Sequence, residues 1–238
     1  MIPWRDRVVM ISGASRGIGL AIARRLAHDG ATLSLGGRNL GSLTRGTSDL
    51  AEERTTRWFY DALEPATAGA WVDSTVTRFG RVDGLVNCAG ILEKFTLEEG
   101  DTATLDRLFA VNVKGPLELT RRTLPHLRAS GCGRIVNVSS LSGVRVASDQ
   151  VGYAISKFGL TALSHATRRA AWDDGVRVTN LSPGFVDTDM PRDIHADVDW
   201  STATQPADLA AIVSMVMSLP NSASVSQLNV ACRYDPGT

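Results

Sequence analysis

The run ISGASRGIGLAIARRL, residues 11–26, joins the end of an apolar segment (RVVMIS, 7–12) to a segment of helical spacing through a turn holding Gly13, Gly17 and Gly19. A strand, a glycine turn and a helix in immediate succession place a helix N-terminus, with its free N–H groups and positive dipole end, at the edge of a sheet. Glycine allows the tight turn, close approach of the backbone to a pyrophosphate and close packing of helix on strand. A dinucleotide is the natural ligand of such a turn. The spacing is G-x-x-x-G-x-G, not the commoner G-x-G-x-x-G.

Outward from this turn the same alternation continues. Runs rich in Val, Ile and Leu fall at 31–35, 56–60, 82–87, 134–139, 176–181 and 226–230, and helical spacing falls at 17–29, 65–79, 102–112, 116–130, 152–173 and 206–218. Strands that are apolar along their whole length and alternate with helices predict a parallel sheet covered on both faces. The expected fold is therefore a doubly wound, Rossmann-like α/β domain of about seven strands, spanning 1–238 as one unit. In 39–55, Gly41, Gly46 and several threonines lower helix propensity, so a short or irregular helix is expected there. The stretch 183–204 lacks periodicity and carries Pro183, Gly184, Pro191 and five aspartates (Asp187, Asp189, Asp193, Asp197, Asp199), which suits a substrate lid at the carboxyl end of the sheet.

Composition excludes several partners. An apolar fraction of 43% suits a globular chain with a real core, and Lys+Arg balance Asp+Glu at 25 each, so no net field draws the protein to nucleic acid or an anionic membrane. Cys88, Cys132 and Cys232 are odd in number and widely spaced, which argues against a disulfide framework or a zinc site. No apolar leader precedes the first strand, and a cytoplasmic protein is the default expectation.

Charge distinguishes two cofactors. An NAD-binding domain places an acid at the end of the second strand to bond the ribose 2'-hydroxyl, but here LSLGGRN puts Arg38 at that point. Arg16, inside the glycine turn, is a second fixed cation. Two guanidiniums suit a dianionic 2'-phosphate, so NADP(H) is expected over NAD(H).

Farther along, GYAISKFGL (152–160) sets Tyr153 and Lys157 four residues apart on a predicted helix, where both side chains reach one face. With SGASRGIG at 12–19, NCAG at 87–90, Asn112 in VNV, the serine pair 139–140, YAISK at 153–157 and PGFVDT at 183–188, the sequence resembles the short-chain dehydrogenase/reductase family over almost its whole length. The resemblance implies interconversion of a ketone and a secondary alcohol with a small-molecule substrate. Tyr153 would be the general acid/base and Ser140, thirteen residues before it, would donate to the carbonyl oxygen; Lys157 would hold phenolate character and the nicotinamide ribose. Asn112 would hold a water that relays protons. A tyrosine of ordinary pKa, about 10, is a poor base at neutral pH, so a nearby ammonium is expected to lower it.

By the same resemblance, Gly13, Ser15, Arg16, Gly17, Ile18 and Gly19 would hold the cofactor's phosphates, and Asp61 and Ala62 its adenine. Asn87, Ala89 and Gly90 would floor the adenine ribose, while Pro183, Gly184, Val186 and Thr188 would border the nicotinamide. Ser12 and Cys88 depart from the family's usual threonine and asparagine. Nothing in the chemistry needs His28, His126 or His165; His195, beside the acids of 183–204, can reach a substrate there. Two alternatives stand: a 3-oxoacyl-carrier-protein reductase, suggested by PGFVDTDM, and a non-catalytic dinucleotide sensor, from which the retained Tyr, Lys, Ser and Asn argue away. The resemblance also implies a homotetramer or dimer through 102–130 and 152–173.

Overall fold

The computed structural model describes residues 1–146, 148–192 and 199–233. Its centre is a seven-stranded, wholly parallel sheet: β1 (Val8–Ser12), β2 (Thr32–Gly37), β3 (Thr55–Phe59), β4 (Gly84–Asn87), β5 (Arg134–Val138), β6 (Arg177–Pro183) and β7 (Gln227–Val230). The spatial order is β3-β2-β1-β4-β5-β6-β7. The chain thus runs outward to one edge, returns to β4 beside β1 and runs outward to the other. Crossovers on the two sides diverge, which leaves a crevice outside the carboxyl ends of β1 and β4. All seven predicted strands are present; β1, β4 and β5 are buried along their entire length, a position met by mainly apolar runs in which the buried Asn87, Arg134 and Asn137 are hydrogen-bonded.

Helices cover both faces. On one side α1 (Gly17–His28) packs with α8 (Pro206–Ser218), with Ile22, Leu26 and Val213 in a core shared with Val9, Ile11 and Leu33. On the other lie α3 (Pro65–Phe79), α5 (Gly115–Ala129) and α6 (Val151–Ala171), whose core centres on the fully buried Trp71 with Met10, Leu85, Leu119 and Ile135. The doubtful segment 39–55 holds α2 (Leu40–Gly46), started by Asn39, whose side chain accepts from the Ser42 N–H at 2.8 Å. The predicted break between 112 and 116 is absent. α4 (Thr102–Phe109) continues through a π turn, Ala110–Lys114, directly into α5. Pro116, which has no N–H, cannot serve the Asn112 carbonyl four residues back, so the extra residue is absorbed there without ending the helix.

One row of amides crosses the sheet. Asn87, Asn137, Asn180 and Gln227 are register partners on β4, β5, β6 and β7. Asn87 Nδ2 donates to Asn137 Oδ1 at 2.8 Å, Asn137 Nδ2 to Ser164 Oγ of α6 at 2.8 Å, and Asn180 Nδ2 to Gln227 Oε1 at 3.0 Å. Ser164 Oγ closes the gap by donating to Asn180 Oδ1 at 3.2 Å. Buried polar groups persist when they find partners; here the Asn87 Oδ1 is buried without one, while the other side-chain amide atoms of the row are bonded and also fix α6 on the sheet. Asn137→Leu leaves the Asn87 amide and the Ser164 hydroxyl short of partners and is expected to cost about 1–3 kcal/mol. Urea unfolding measures this; an unchanged midpoint would refute it.

Candidate active site

The crevice is a cleft of about 1130 Å³ at the carboxyl ends of the strands. Gly13, Ser15, Arg16, Gly17, Ile18 and Gly19 line it from the glycine turn. Arg38 reaches it from the end of β2, Asp61 and Ala62 from after β3, and Ala89 and Gly90 from after β4. The backbone explains the glycines. Gly13 sits at φ +71°, and a Cβ there would lie 2.9 Å from the Ala89 backbone; at Gly19 it would lie 2.3 Å from the Gly13 carbonyl oxygen. The turn is therefore pressed against β4 and α1, as a phosphate cradle requires. Ser12, in place of the usual threonine, still knits this junction: its Oγ accepts from the Cys88 and Ala89 N–H groups, each at 3.1 Å.

A smaller cavity of about 100 Å³ opens beside it and brings together Ser140, Tyr153, Lys157, Pro183, Gly184, Val186 and Thr188. Ile18, Cys88, Gly90, Thr188 and Met190 border both spaces. Val186 is tied to Thr204 by an isolated parallel bridge made by the Thr204 N–H to the Phe185 carbonyl and the Asp187 N–H to the Thr204 carbonyl. In that pattern the amide of Val186 itself faces away from Thr204, so it is available to a ligand on the cavity side.

Lys157 is 6% exposed; its Nζ donates to the Val138 carbonyl at 3.0 Å and lies 5.5 Å from the centre of the Tyr153 ring. Ser140 begins a short 3-10 turn, and its Oγ accepts from the Ser142 N–H at 3.1 Å, which directs the hydroxyl proton elsewhere. Its neighbour Ser139 is buried and donates to the Lys157 carbonyl at 3.2 Å, a structural role. Burial pushes the Tyr153 phenol up to about 12, against a hydrogen bond with Ser140 that pulls it down. Burial pushes Lys157 down to about 8, against a weaker upward pull from Cys88. The lowered tyrosine pKa expected from the sequence is thus absent from the ligand-free chain. Both groups are withdrawn from water, and desolvation is the largest influence on each.

Two predicted residues do not line either space. The Asn87 side chain lies in the amide row, bonded to Asn137 and to Thr120 Oγ1. Asn112 is buried, with Oδ1 accepting from the Ile91 N–H at 2.9 Å and Nδ2 donating to the Ile91 carbonyl and Ser156 Oγ at 3.0 Å each. Both polar atoms of its side chain are thus engaged. Arg16 is paired with Asp189 at 3.1 Å. Within the described part of 183–204 the chain forms α7 (Asp189–Arg192) and a 3-10 turn at Trp200–Thr202, and Phe185 meets Trp200 edge-on at 5.8 Å. His195, Asp193 and Asp197 lie outside the described residues. Sequence reading took Cys88 only as a packing substitution; its position inside NCAG is the signal that it lines the site.

A glycine cradle at a sheet switch point, joined to a cavity with Tyr, Lys and Ser, defines a dinucleotide-dependent class of α/β protein. The chain belongs to the short-chain dehydrogenase family, whose model matches residues 7–199. It is 39% identical to an agropine synthesis reductase of Rhizobium rhizogenes over 232 residues, which cover 94% of this chain and 52% of the relative, so it spans about half the length of that protein. It is 34% identical over 210 residues to the levodione reductase of Leifsonia aquatica, covering 85% of this chain and 78% of the relative. A metagenomic short-chain oxidoreductase solved in complex with NADP superposes with a TM-score of 0.83 at 28% identity, covering 98% of this chain and all of that one. Among the described residues no helix is long and apolar enough to cross a membrane.

Because Lys157 is held below its ordinary value, the native chain binds fewer protons than the unfolded one between about pH 8 and the unfolded value of 10.5, and stability rises with pH there. The stability of wild type relative to Lys157→Met is expected to improve between pH 7 and pH 10. Parallel denaturation curves at both pH values test this, and a constant gap would contradict it.

Proposed function

We infer that the protein is an NADP(H)-dependent oxidoreductase interconverting a ketone and a secondary alcohol. The observation that carries the reading is the meeting of Tyr153, Lys157 and Ser140 in one cavity that opens directly onto the glycine-lined cleft. The residues suit the cofactor. Backbone contacts at Gly13 and Gly19 exclude a side chain and let the turn fold tightly at the cleft, and Arg38 lines the same cleft as a cation for a 2'-phosphate. Bound there, the nicotinamide cofactor supplies or accepts the hydride.

The chain's own groups do the rest. In reduction the carbonyl oxygen needs a proton as hydride reaches its carbon, and the Tyr153 phenol, neutral across the physiological range, is the donor. The Ser140 hydroxyl, its oxygen engaged by Ser142 and itself hydrogen-bonded to Tyr153, would turn to donate to the same oxygen as charge develops. The Lys157 ammonium spends one proton on Val138 and has two others for the cofactor ribose and for a water near Asn112, from which the phenolate is reprotonated. Ile91, Leu92, Met190 and Pro191 give the smaller cavity apolar walls, which favour a small, uncharged carbonyl compound. Ile155 and Phe158 on α6 and Leu117 on α5 are exposed apolar side chains, which supports association of copies through these helices.

Tyr153→Phe is expected to lower kcat at least a thousandfold, on the order of a lost general acid, while NADPH still binds; a variant with near wild-type turnover on a ketone panel including levodione would overturn the mechanism. Reduction should weaken above about pH 8 as Lys157 loses its proton, and a rate flat to pH 10 would exclude that dependence. Arg38→Asp is expected to move preference from NADPH toward NADH, read as the ratio of kcat/KM values; equal use of both cofactors by the wild type would refute the assignment.

A further inference from the structure

Arg16 leaves the glycine turn exposed, and its Nη1 donates to Asp189 Oδ2 at 3.1 Å; the two side chains are 67% and 78% exposed. Arg16 immediately precedes α1 and Asp189 begins α7, so this ion pair joins the glycine turn to the segment that follows β6. Both residues line the large cleft together with Arg38. Next to the pair, Thr188 crowds Gly17 closely enough that a Cβ on that glycine would lie 3.2 Å from Thr188 Cγ2.

A carboxylate and a phosphate dianion are rivals for one guanidinium, and side by side they repel. An ion pair this open to water contributes little to stability, so its arginine is easily released. A dianionic phosphate that accepts forked, charge-assisted bonds is the stronger partner. Resting on the NADP(H) reading above, we propose that Asp189 is a specificity-determining residue: it holds Arg16 in the ligand-free chain and surrenders it to the 2'-phosphate. Arrival of that phosphate then severs the tie between the glycine turn and the segment after β6. A cofactor without the phosphate leaves the tie intact. Asp189 thereby sets how strongly the phosphate is preferred and couples cofactor identity to the freedom of the segment bordering the substrate cavity.

The test uses adenosine 2',5'-bisphosphate and adenosine 5'-monophosphate, which lack the nicotinamide, with calorimetric titration of wild type, Asp189→Asn, Arg16→Gln and the double variant. Asp189→Asn is expected to bind the bisphosphate about two- to fivefold more tightly, the scale of an exposed ion pair, with the monophosphate unchanged. In the Arg16→Gln background the gain should vanish. Unchanged or weaker bisphosphate binding, an equal gain for both nucleotides, or a gain that survives Arg16→Gln would overturn the proposal. Hydrogen exchange on the wild type gives a second reading: the bisphosphate should speed exchange across residues 187–192 while the monophosphate does not, and slowed or unchanged exchange with the bisphosphate would count against it. A wild type that binds the two nucleotides equally would instead remove the NADP(H) reading beneath the proposal.

Discussion

The pairing of β1 with β4 is the constraint on which the molecule depends. These strands are distant in sequence yet share the middle of the sheet in the register Val9↔Gly84, Met10↔Leu85, Ile11↔Val86. Their neighbouring crossovers depart in opposite directions, which opens a crevice at the carboxyl ends between them. Burial fixes the register from both faces, with Val9 and Ile11 in the core beneath α1 and α8 and Met10 and Leu85 beneath α3 and α5. A slip of one residue would turn each set toward the wrong layer. The glycine turn and the NCAG turn follow these two strands, and their contact at Gly13 and Ala89 is a direct consequence of the register.

Chemistry is mounted on this frame by α6. The helix is held at a fixed depth by Ser139 on the Lys157 carbonyl, by Asn137 on Ser164 and by the bond from Lys157 to Val138. Functional groups carried on rigid elements with supporting hydrogen bonds keep their geometry better than groups on loops. The amide row gives those supports a common origin, since Asn137 and Asn180 belong both to the sheet and to the surroundings of α6. The placement of Tyr153 and Lys157 and the pairing of the sheet are thus parts of one hydrogen-bonded system.

The strands were legible because a buried parallel strand is mainly apolar on both sides, the bonded amide row being the exception here, and the helices because their caps and periodicity are local. The site was legible wherever a motif concentrated chemistry, as at Gly13–Gly19 and Tyr153–Lys157. What could not be read depends on contacts between distant residues. Asn87 lies in a motif that suggests a ligand, but whether its amide turns to the cleft or into the sheet depends on Asn137 and Thr120, 50 and 33 residues away. The π turn follows from Pro116 acting on a helix that its neighbours compel to continue, where local rules predict a stop. The raised phenol of Tyr153 follows from burial, a property of the assembled fold.

Cys88 borders both the cofactor cleft and the substrate cavity, and burial pushes its thiol up to about 12 in spite of the Lys157 charge. At neutral pH the nucleophilic thiolate is then roughly one part in 10⁵ of the total. Electrophiles admitted to this pocket, such as quinones and conjugated enones, meet sulfur in its inert form. The chain therefore keeps a small, polarizable side chain between its two cavities in a form that resists alkylation.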